Sequence, residues 1–142
     1  MTSYVLVRDN FPQEDLFNNL NRTSYEIVNV PSSIGLMPKI GCRTHQLLIY
    51  DPVMSEDSGD LFLDPLTPLV LRNCKKRGLP VILTSVYGEE RLQGEVFNEN
   101  SPFVENDETR IVPEDYSRFI DKPYRIEDLL MVLREVKVEN FL

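Results

Sequence analysis

Apolar residues in this chain fall into short unbroken runs, each followed by a polar turn and usually by a stretch with apolar residues three or four positions apart. Tyr4–Asp9 (YVLVRD) is the first run, and Pro12–Arg22 then sets Leu16, Phe17 and Leu20 on one helical face. Tyr25–Val30 (YEIVNV) reads as a second strand. The stretch Ser32–Gly41 carries Gly35, Pro38 and Gly41, so only a short or broken helix is expected there. His45–Asp51 (HQLLIYD) is a third strand, and Leu63–Gly78 offers a helix with Leu66, Leu69, Val70 and Asn73 in step, closed by Gly78. Pro80–Val86 (PVILTSV) is a fourth strand. The least regular segment, Glu89–Tyr116, predicts a turn or two of helix and then a polar stretch interrupted by Pro102 and Pro113. It reads as a surface excursion whose composition adds little to a core. Ser117–Pro123 is a fifth short strand, and Arg125–Val138 an amphipathic helix with Ile126, Leu129, Leu130, Leu133 and Val136 on one face.

Strands that are apolar throughout are buried on both faces, and strands that alternate with helices are joined by crossovers. Together these predict an α/β fold of the (βα)5 kind: a five-stranded parallel sheet with helices on both faces, an irregular second helix and an insertion between strands four and five. In such sheets ligands bind beyond the carboxyl ends of the strands. A chain of 142 residues with 42% hydrophobic content has room for one domain of this type, 1–142.

Charge narrows the class of partner. The net charge of -8 (15 basic and 23 acidic residues) and the lack of any basic cluster beyond Asn73–Gly78 (NCKKRG) argue against direct nucleic-acid binding. The longest apolar runs are far too short to span a bilayer, and the opening MTSYVLVRDN lacks the basic-then-apolar form of a signal peptide, so no membrane insertion and a cytoplasmic location are expected. Cys42 and Cys74 lack the paired spacing of zinc or redox sites and read as free thiols.

The strand ends carry the candidate chemistry. The first delivers Asp9 and Asn10, the third Asp51, the fourth Ser85, and the fifth Lys122 followed by Pro123. Carboxylates, an amide, a hydroxyl and an ammonium would converge on one sheet edge. That composition suits phosphoryl transfer, which depends on positioning and charge neutralisation. Asp51 would be the nucleophile, a hard cation such as Mg2+ would take carboxylate and carbonyl oxygens, Lys122 would offset phosphoryl charge and Ser85 would donate a hydrogen bond. Taken singly, Asp51 also fits a turn or cap residue, Lys122 a surface lysine and Phe119 a core aromatic, and Thr84 competes with Ser85 as the hydroxyl. His45, the only histidine, has no partner at ligand spacing. No glycine-rich phosphate loop or nucleophile elbow is present to support a nucleotide-binding or hydrolytic enzyme.

Four segments in this order resemble the receiver domain of bacterial two-component response regulators. VLVRDN is similar to that family's first strand with its acidic pair, and LLIYDPVMSEDSG to its phosphoacceptor segment, with Asp51, Met54 and Gly59 in register. PVILTSVYG resembles the strand with the switch hydroxyl at Ser85, and FIDKPY the lysine-proline segment, with Phe119 at the switch-aromatic position. The resemblance covers nearly the whole chain and implies a flavodoxin-like, doubly wound sandwich. It implies Asp51 as phosphoacceptor, Asp9 and Asn10 as the metal-side pair, the Val53 carbonyl as a further ligand of weakly held Mg2+, and a cis bond at Lys122-Pro123. It also implies a histidine kinase or phosphotransfer protein as donor and a downstream protein met through 89–116 and the last helix. Any catalysis would be limited to self-phosphorylation and self-dephosphorylation. Asn10 replaces the second acid, Ser55 replaces the proline after Met54, and the loop before Lys122 is longer than is usual for the family. Asn10 and the remodelled 89–116 segment favour an alternative, opposed by the intact Asp51, Ser85 and Lys122: a degenerate receiver acting as a phosphorylation-independent interaction module, in a stand-alone chain or a piece of a longer one.

Overall fold

The computed structural model describes residues 3–9, 24–55, 62–97 and 110–141. The helix expected over 12–22 lies outside the described residues.

Every strand expected from the apolar runs forms. β1 (Ser3–Arg8), β2 (Tyr25–Asn29), β3 (Gln46–Tyr50), β6 (Val81–Ser85) and β7 (Arg118–Asp121) make one sheet in the order β2-β1-β3-β6-β7, and every neighbouring pair in it is parallel. β3 and β6 are buried along their whole length, as two-sided coverage requires. Alternate side chains feed two cores. Leu6, Leu48, Tyr50 and Leu83 face α1 (Ser33–Leu36) and α2 (Thr67–Lys76), whereas Val5, Val7, Leu47, Ile49, Ile82 and Ile120 face α4 (Ile126–Phe141). The fold is therefore the expected flavodoxin-like α/β sandwich, with helices on both faces.

α4 buries Leu129, Leu133 and Val136, the stripe its periodicity predicts. The weak helix over 32–41 is broken as its glycines and proline suggest: α1 lasts four residues, capped by the Ser32 hydroxyl accepting from the Gly35 amide, and Met37–Lys39 tightens into a 3-10 turn. α2 ends where expected, with Gly78 at φ 68, a left-handed conformation that favours glycine.

Three expectations need correction. First, the helix expected from Leu63 starts at Thr67, because Phe62–Leu63 forms strand β5 and pairs antiparallel with β4 (Val53–Ser55). Alternating short apolar residues around a polar loop gave no helix-or-hairpin distinction at this length. Second, α2 buries Thr67, Val70, Leu71 and Cys74, while Leu69 is 49% exposed and Asn73 half-buried, so the inward stripe is rotated from the expected one. The i, i+3, i+4, i+7 spacing of 67, 70, 71 and 74 is regular, and the hydroxyl of Thr67 hides its membership.

Third, the described ends of the segment 89–116, residues 89–97 and 110–116, are not external to the core. α3 (Glu89–Arg91) runs into a π-helical turn over Leu92–Val96, in which the Phe97 amide donates to the Leu92 carbonyl (2.8 Å). Leu92, Phe97, Ile111 and Tyr116 are all buried in the core between the sheet and α2. The apolar residues responsible are spread thinly among polar ones, and no period connects them. Leu92→Ala should therefore destabilise the protein by about 2–5 kcal/mol, the range for large-to-small core substitutions. Denaturant unfolding checks this, and a loss below about 0.5 kcal/mol, the level of ordinary surface changes, would return the segment to the surface.

Candidate functional site

Parallel strands deliver their carboxyl ends to one edge, and the site is assembled there from β1, β3, β6 and β7. Asp51 follows β3, and its amide donates to the Arg8 carbonyl at the end of β1 (3.0 Å). Lys122 follows β7, and its amide donates to the carbonyl of Ser85, the last residue of β6 (3.0 Å). These two backbone bonds fix the spacing of the edge before any side chain contributes.

The side chains meet at one ammonium. Lys122 Nζ donates to Asp9 Oδ1 (2.6 Å) and to Asp51 Oδ2 (2.7 Å), so residues 113 positions apart in the chain share one contact. The three side chains are only 4%, 0% and 3% exposed for Lys122, Asp9 and Asp51 respectively. The other oxygen of Asp51, Oδ1, accepts from the Val53 amide (2.9 Å). Burial raises the Asp51 carboxyl above the ordinary aspartate value; the Lys122 charge and hydrogen bond and the Val53 amide oppose that rise, and the Asp9 charge adds to it. The peptide Lys122-Pro123 is cis, as the resemblance implies.

Tyr124 also belongs to this neighbourhood, and sequence reading missed it. Its ring is buried, and its phenol is pushed far above the usual range by burial and by the negative charges of Asp9 and Asp51. Its place two residues after Lys122 is the only signal the sequence offers.

The remaining expected residues are distributed as follows. Ser85 is fully buried at the strand end, and its hydroxyl accepts from the Tyr87 amide (3.1 Å). Thr84 sits one step back in the strand, and its buried hydroxyl has no hydrogen-bond partner among the described residues. The register that places Ser85 beside Asp121, next to Lys122, favours Ser85 as the edge hydroxyl. Phe119 is half-buried, with its ring edge-on to Tyr116 (centroids 6.2 Å apart, 63° between planes). It lines an open cleft of about 790 Å³ with Tyr87, Glu89, Arg91 and Asp121. Tyr116 in turn donates its hydroxyl to Glu89 of α3 (2.5 Å) and accepts from Gln93 (2.8 Å). His45 lies in the turn that precedes β3, at the other edge of the sheet. Asn10 lies outside the described residues.

Donor chemistry at the edge fits a small hard cation. Two carboxylates share the Lys122 ammonium, hence their oxygens are close neighbours, and the start of β4 lies against Asp51. Mg2+ is commonly held by one or two carboxylates with water completing its shell. Among the described residues no group of three or more His, Cys, Asp or Glu side chains gathers.

A second polar cluster lies just behind this edge, on the α2 side of the sheet. Arg8 is 2% exposed and pairs through Nη2 with Asp64 Oδ2 (3.2 Å), the residue that leads into α2. Ser33 donates to the same carboxylate oxygen, Tyr50 bonds Ser33 (2.8 Å) and Thr67 (3.1 Å), and Asp64 Oδ1 accepts from the Leu66 amide (2.9 Å). Burial pushes the Tyr50 phenol up to about 12. Sequence reading passed over this cluster, although an arginine at an inward-facing strand position was a visible signal.

Solved structures of this shape include receiver domains and response regulators. The chain matches a response regulator from Desulfuromonas acetoxidans with TM-score 0.65 at 16% identity, covering 99% of this chain and 100% of that one. It matches a response regulator receiver domain protein from Methanospirillum hungatei with TM-score 0.63 at 19% identity over 99% and 97% of the two chains. The receiver domain of a sensor histidine kinase from Pseudomonas aeruginosa, solved with a magnesium ion coordinated in its active site cleft, matches with TM-score 0.60 at 13% identity over 95% and 97%. No protein-family model matches the chain, and no curated protein matches it in sequence. At these identities the likeness establishes the fold.

The shared ammonium carries a testable energetic consequence. Lys122→Met leaves two buried carboxylates facing each other and should destabilise the protein by about 3 kcal/mol, the scale for removing one partner of a buried ion pair. Adding Asp9→Asn to that variant removes the repulsion and should restore most of the loss. Thermal or denaturant unfolding of the four-member cycle measures both steps.

Proposed function

We propose that the chain is a receiver that accepts a phosphoryl group on Asp51 from a histidine kinase or phosphotransfer protein and signals by protein-protein interaction. The observation that supports this reading most directly is the convergence of Asp9, Asp51 and Lys122 on one buried contact at the carboxyl edge of a receiver-fold sheet. In the proposed step an Asp51 oxygen attacks the donor phosphorus, a new P–O bond forms, and the bond from phosphorus to the donor breaks with its electron pair leaving on the donor. Lys122 neutralises charge on the transferred group, and Ser85, whose oxygen accepts from the Tyr87 amide, turns its own O–H to donate to a phosphoryl oxygen.

Asp9, Asp51 and the Val53 carbonyl, with Asn10, would hold Mg2+, which supplies charge neutralisation to the phosphoryl oxygens when bound. Asn10 offers only a neutral carbonyl oxygen where an acid would add charge, so the metal is held weakly. Phosphorylation places about -1.5 to -2 charge at the edge, and the readout surface is the cleft beside Phe119 together with 89–116 and α4. The coupling from Phe119 through Tyr116 to Glu89 links that surface to β7. No helix of the described residues is long and apolar enough to cross a membrane, and a cytoplasmic setting is part of this proposal.

A specific observation favours the competing reading of an interaction module that does not turn over phosphate: the Lys122 ammonium is already engaged by one oxygen of each acid. Acetyl phosphate with Mg2+ separates the two. Under the receiver reading, intact mass rises by one phosphoryl group, and Asp51→Asn abolishes the increase while the circular dichroism stays unchanged. An unlabelled native chain would leave the module reading standing. Asn10→Asp should tighten Mg2+ binding, because a second charge beside a divalent ion is worth about 4 kcal/mol per unit pair about 4 Å apart at an effective dielectric of about 20, before desolvation is subtracted. Calorimetric titration with Mg2+ reads this, and unchanged or weaker affinity would remove residue 10 from the metal side.

A further inference from the structure

The buried Arg8–Asp64 pair is expensive and has no obvious use in folding alone. Among the described residues Arg8 Nε and Nη1 have no hydrogen-bond partner, so the guanidinium is buried with one of its three nitrogens paired there. Unpaired buried donors cost about 1–3 kcal/mol each, and apolar pairs of similar volume often replace buried ion pairs without loss. The strand position alternates with Leu6 and faces the same apolar core, where a leucine or methionine would pack. The hydroxyl-bearing residues of the cluster are closed to solvent, with Ser33 2% exposed and Tyr50 and Thr67 0% exposed.

What the pair touches gives it a use. Through its main chain, Arg8 takes the Asp51 amide on its carbonyl (3.0 Å). Through its own main chain, Asp64 donates its amide to the Pro52 carbonyl (2.7 Å). Between these two anchors lie only Asp51 and Pro52, followed by Val53, whose amide orients the Asp51 carboxylate (2.9 Å). The β4–β5 pairing of Val53 with Leu63 closes the same loop from the other side. The side chains of Arg8 and Asp64 thus bind together the two backbone points that grip the acceptor segment. Ser33 and Leu66 hold the Asp64 carboxylate in the orientation that meets Arg8.

We propose that Arg8 and Asp64 are positioning residues, and that their buried pair clamps the Asp51–Val53 segment in the geometry that aims the Asp51 carboxylate. The clamp itself follows from these contacts; its effect on phosphoryl transfer rests on the receiver reading above.

The test uses the full chain and two readouts, one of which needs no phosphate chemistry. Arg8→Met/Asp64→Leu replaces the pair by apolar side chains and should keep the unfolding midpoint close to that of the native chain. In that variant hydrogen exchange at the Val53 amide should accelerate by roughly tenfold or more, with a shift of its 15N–1H resonance, because a loosened segment opens locally. Labelling of Asp51 by acetyl phosphate with Mg2+ should slow by roughly tenfold, since a small misplacement of a reacting group is costly. Should the double variant fail to fold, Asp64→Asn, which keeps the shape and the main-chain bond to Pro52, carries the same two measurements. Native exchange and a native resonance at Val53 in a folded variant would overturn the proposal. A native chain that takes no label would reject the receiver reading alone, and the Val53 amide would still decide the clamp.

Discussion

Two buried carboxylates on one sheet edge repel each other and have lost their water, and the ammonium of Lys122 is what makes that arrangement tolerable. Its position depends on the fold in a direct way. Lys122 reaches Asp9 and Asp51 only because β7, β6, β3 and β1 run parallel and end at the same level, and because its amide is tied to the Ser85 carbonyl. Unit charges about 4 Å apart attract by about 4 kcal/mol at an effective dielectric of about 20, while desolvating each ion costs several kcal/mol. The balance is close, so the site contributes less to holding the fold than the fold contributes to holding the site. The raised carboxyl of Asp51 reflects that balance: burial outweighs the help from Lys122.

A second pair of buried charges sits one residue back along the same strand, with different surroundings. Asp9 points to the ammonium at the edge, whereas Arg8 points into the core shared with Tyr50, Val70 and Leu71. Strand alternation forces this separation, since neighbouring side chains take opposite sides. The hydroxyls of Ser33, Tyr50 and Thr67 supply the polar lining that an ion pair needs there, and they come from three different elements: α1, β3 and α2. The cluster therefore ties both helices on that face to the central strands.

What the sequence reveals about this molecule depends on whether a signal is local. Five strands, the broken segment over 32–41, the stripe of α4 and the Gly78 terminus were legible, because each is set by composition or period within a few residues. The edge residues Asp9, Asp51, Ser85 and Lys122 were legible once parallel order was inferred, since topology alone brings strand ends together. Tertiary pairing was not. The β4–β5 hairpin depends on Val53 meeting Leu63, and the role of Asp64 on an arginine 56 positions away. Leu92, Phe97, Ile111 and Tyr116 enter the core one at a time from a polar segment, through a π-helical turn with no sequence period of its own. Thr67 was overlooked as an inward residue because its methyl packs while its hydroxyl bonds Tyr50.

Charge on the edge also constrains how any phosphoryl chemistry proceeds. Asp9 and Asp51 against Lys122 leave one excess negative charge among the described residues, and a phosphoryl donor brings more. An anion approaching Asp51 meets that excess unless a cation arrives with it or Lys122 moves from the carboxylates to the donor. Two of the three N–H donors of Lys122 already go to Asp9 and Asp51, so its charge is shared between two carboxylates before a donor arrives. In the proposed receiver, an asparagine at position 10 where the family has an acid would lower the repulsion toward the donor and, by the same amount of charge, the attraction for a divalent cation. The two effects act on opposite partners of one reaction. Under the proposed receiver reading, Asn10 in place of an acid would shift the requirement for charge neutralisation from the metal toward Lys122, and the freedom of that one side chain would be the quantity on which acceptance of a phosphoryl group turns.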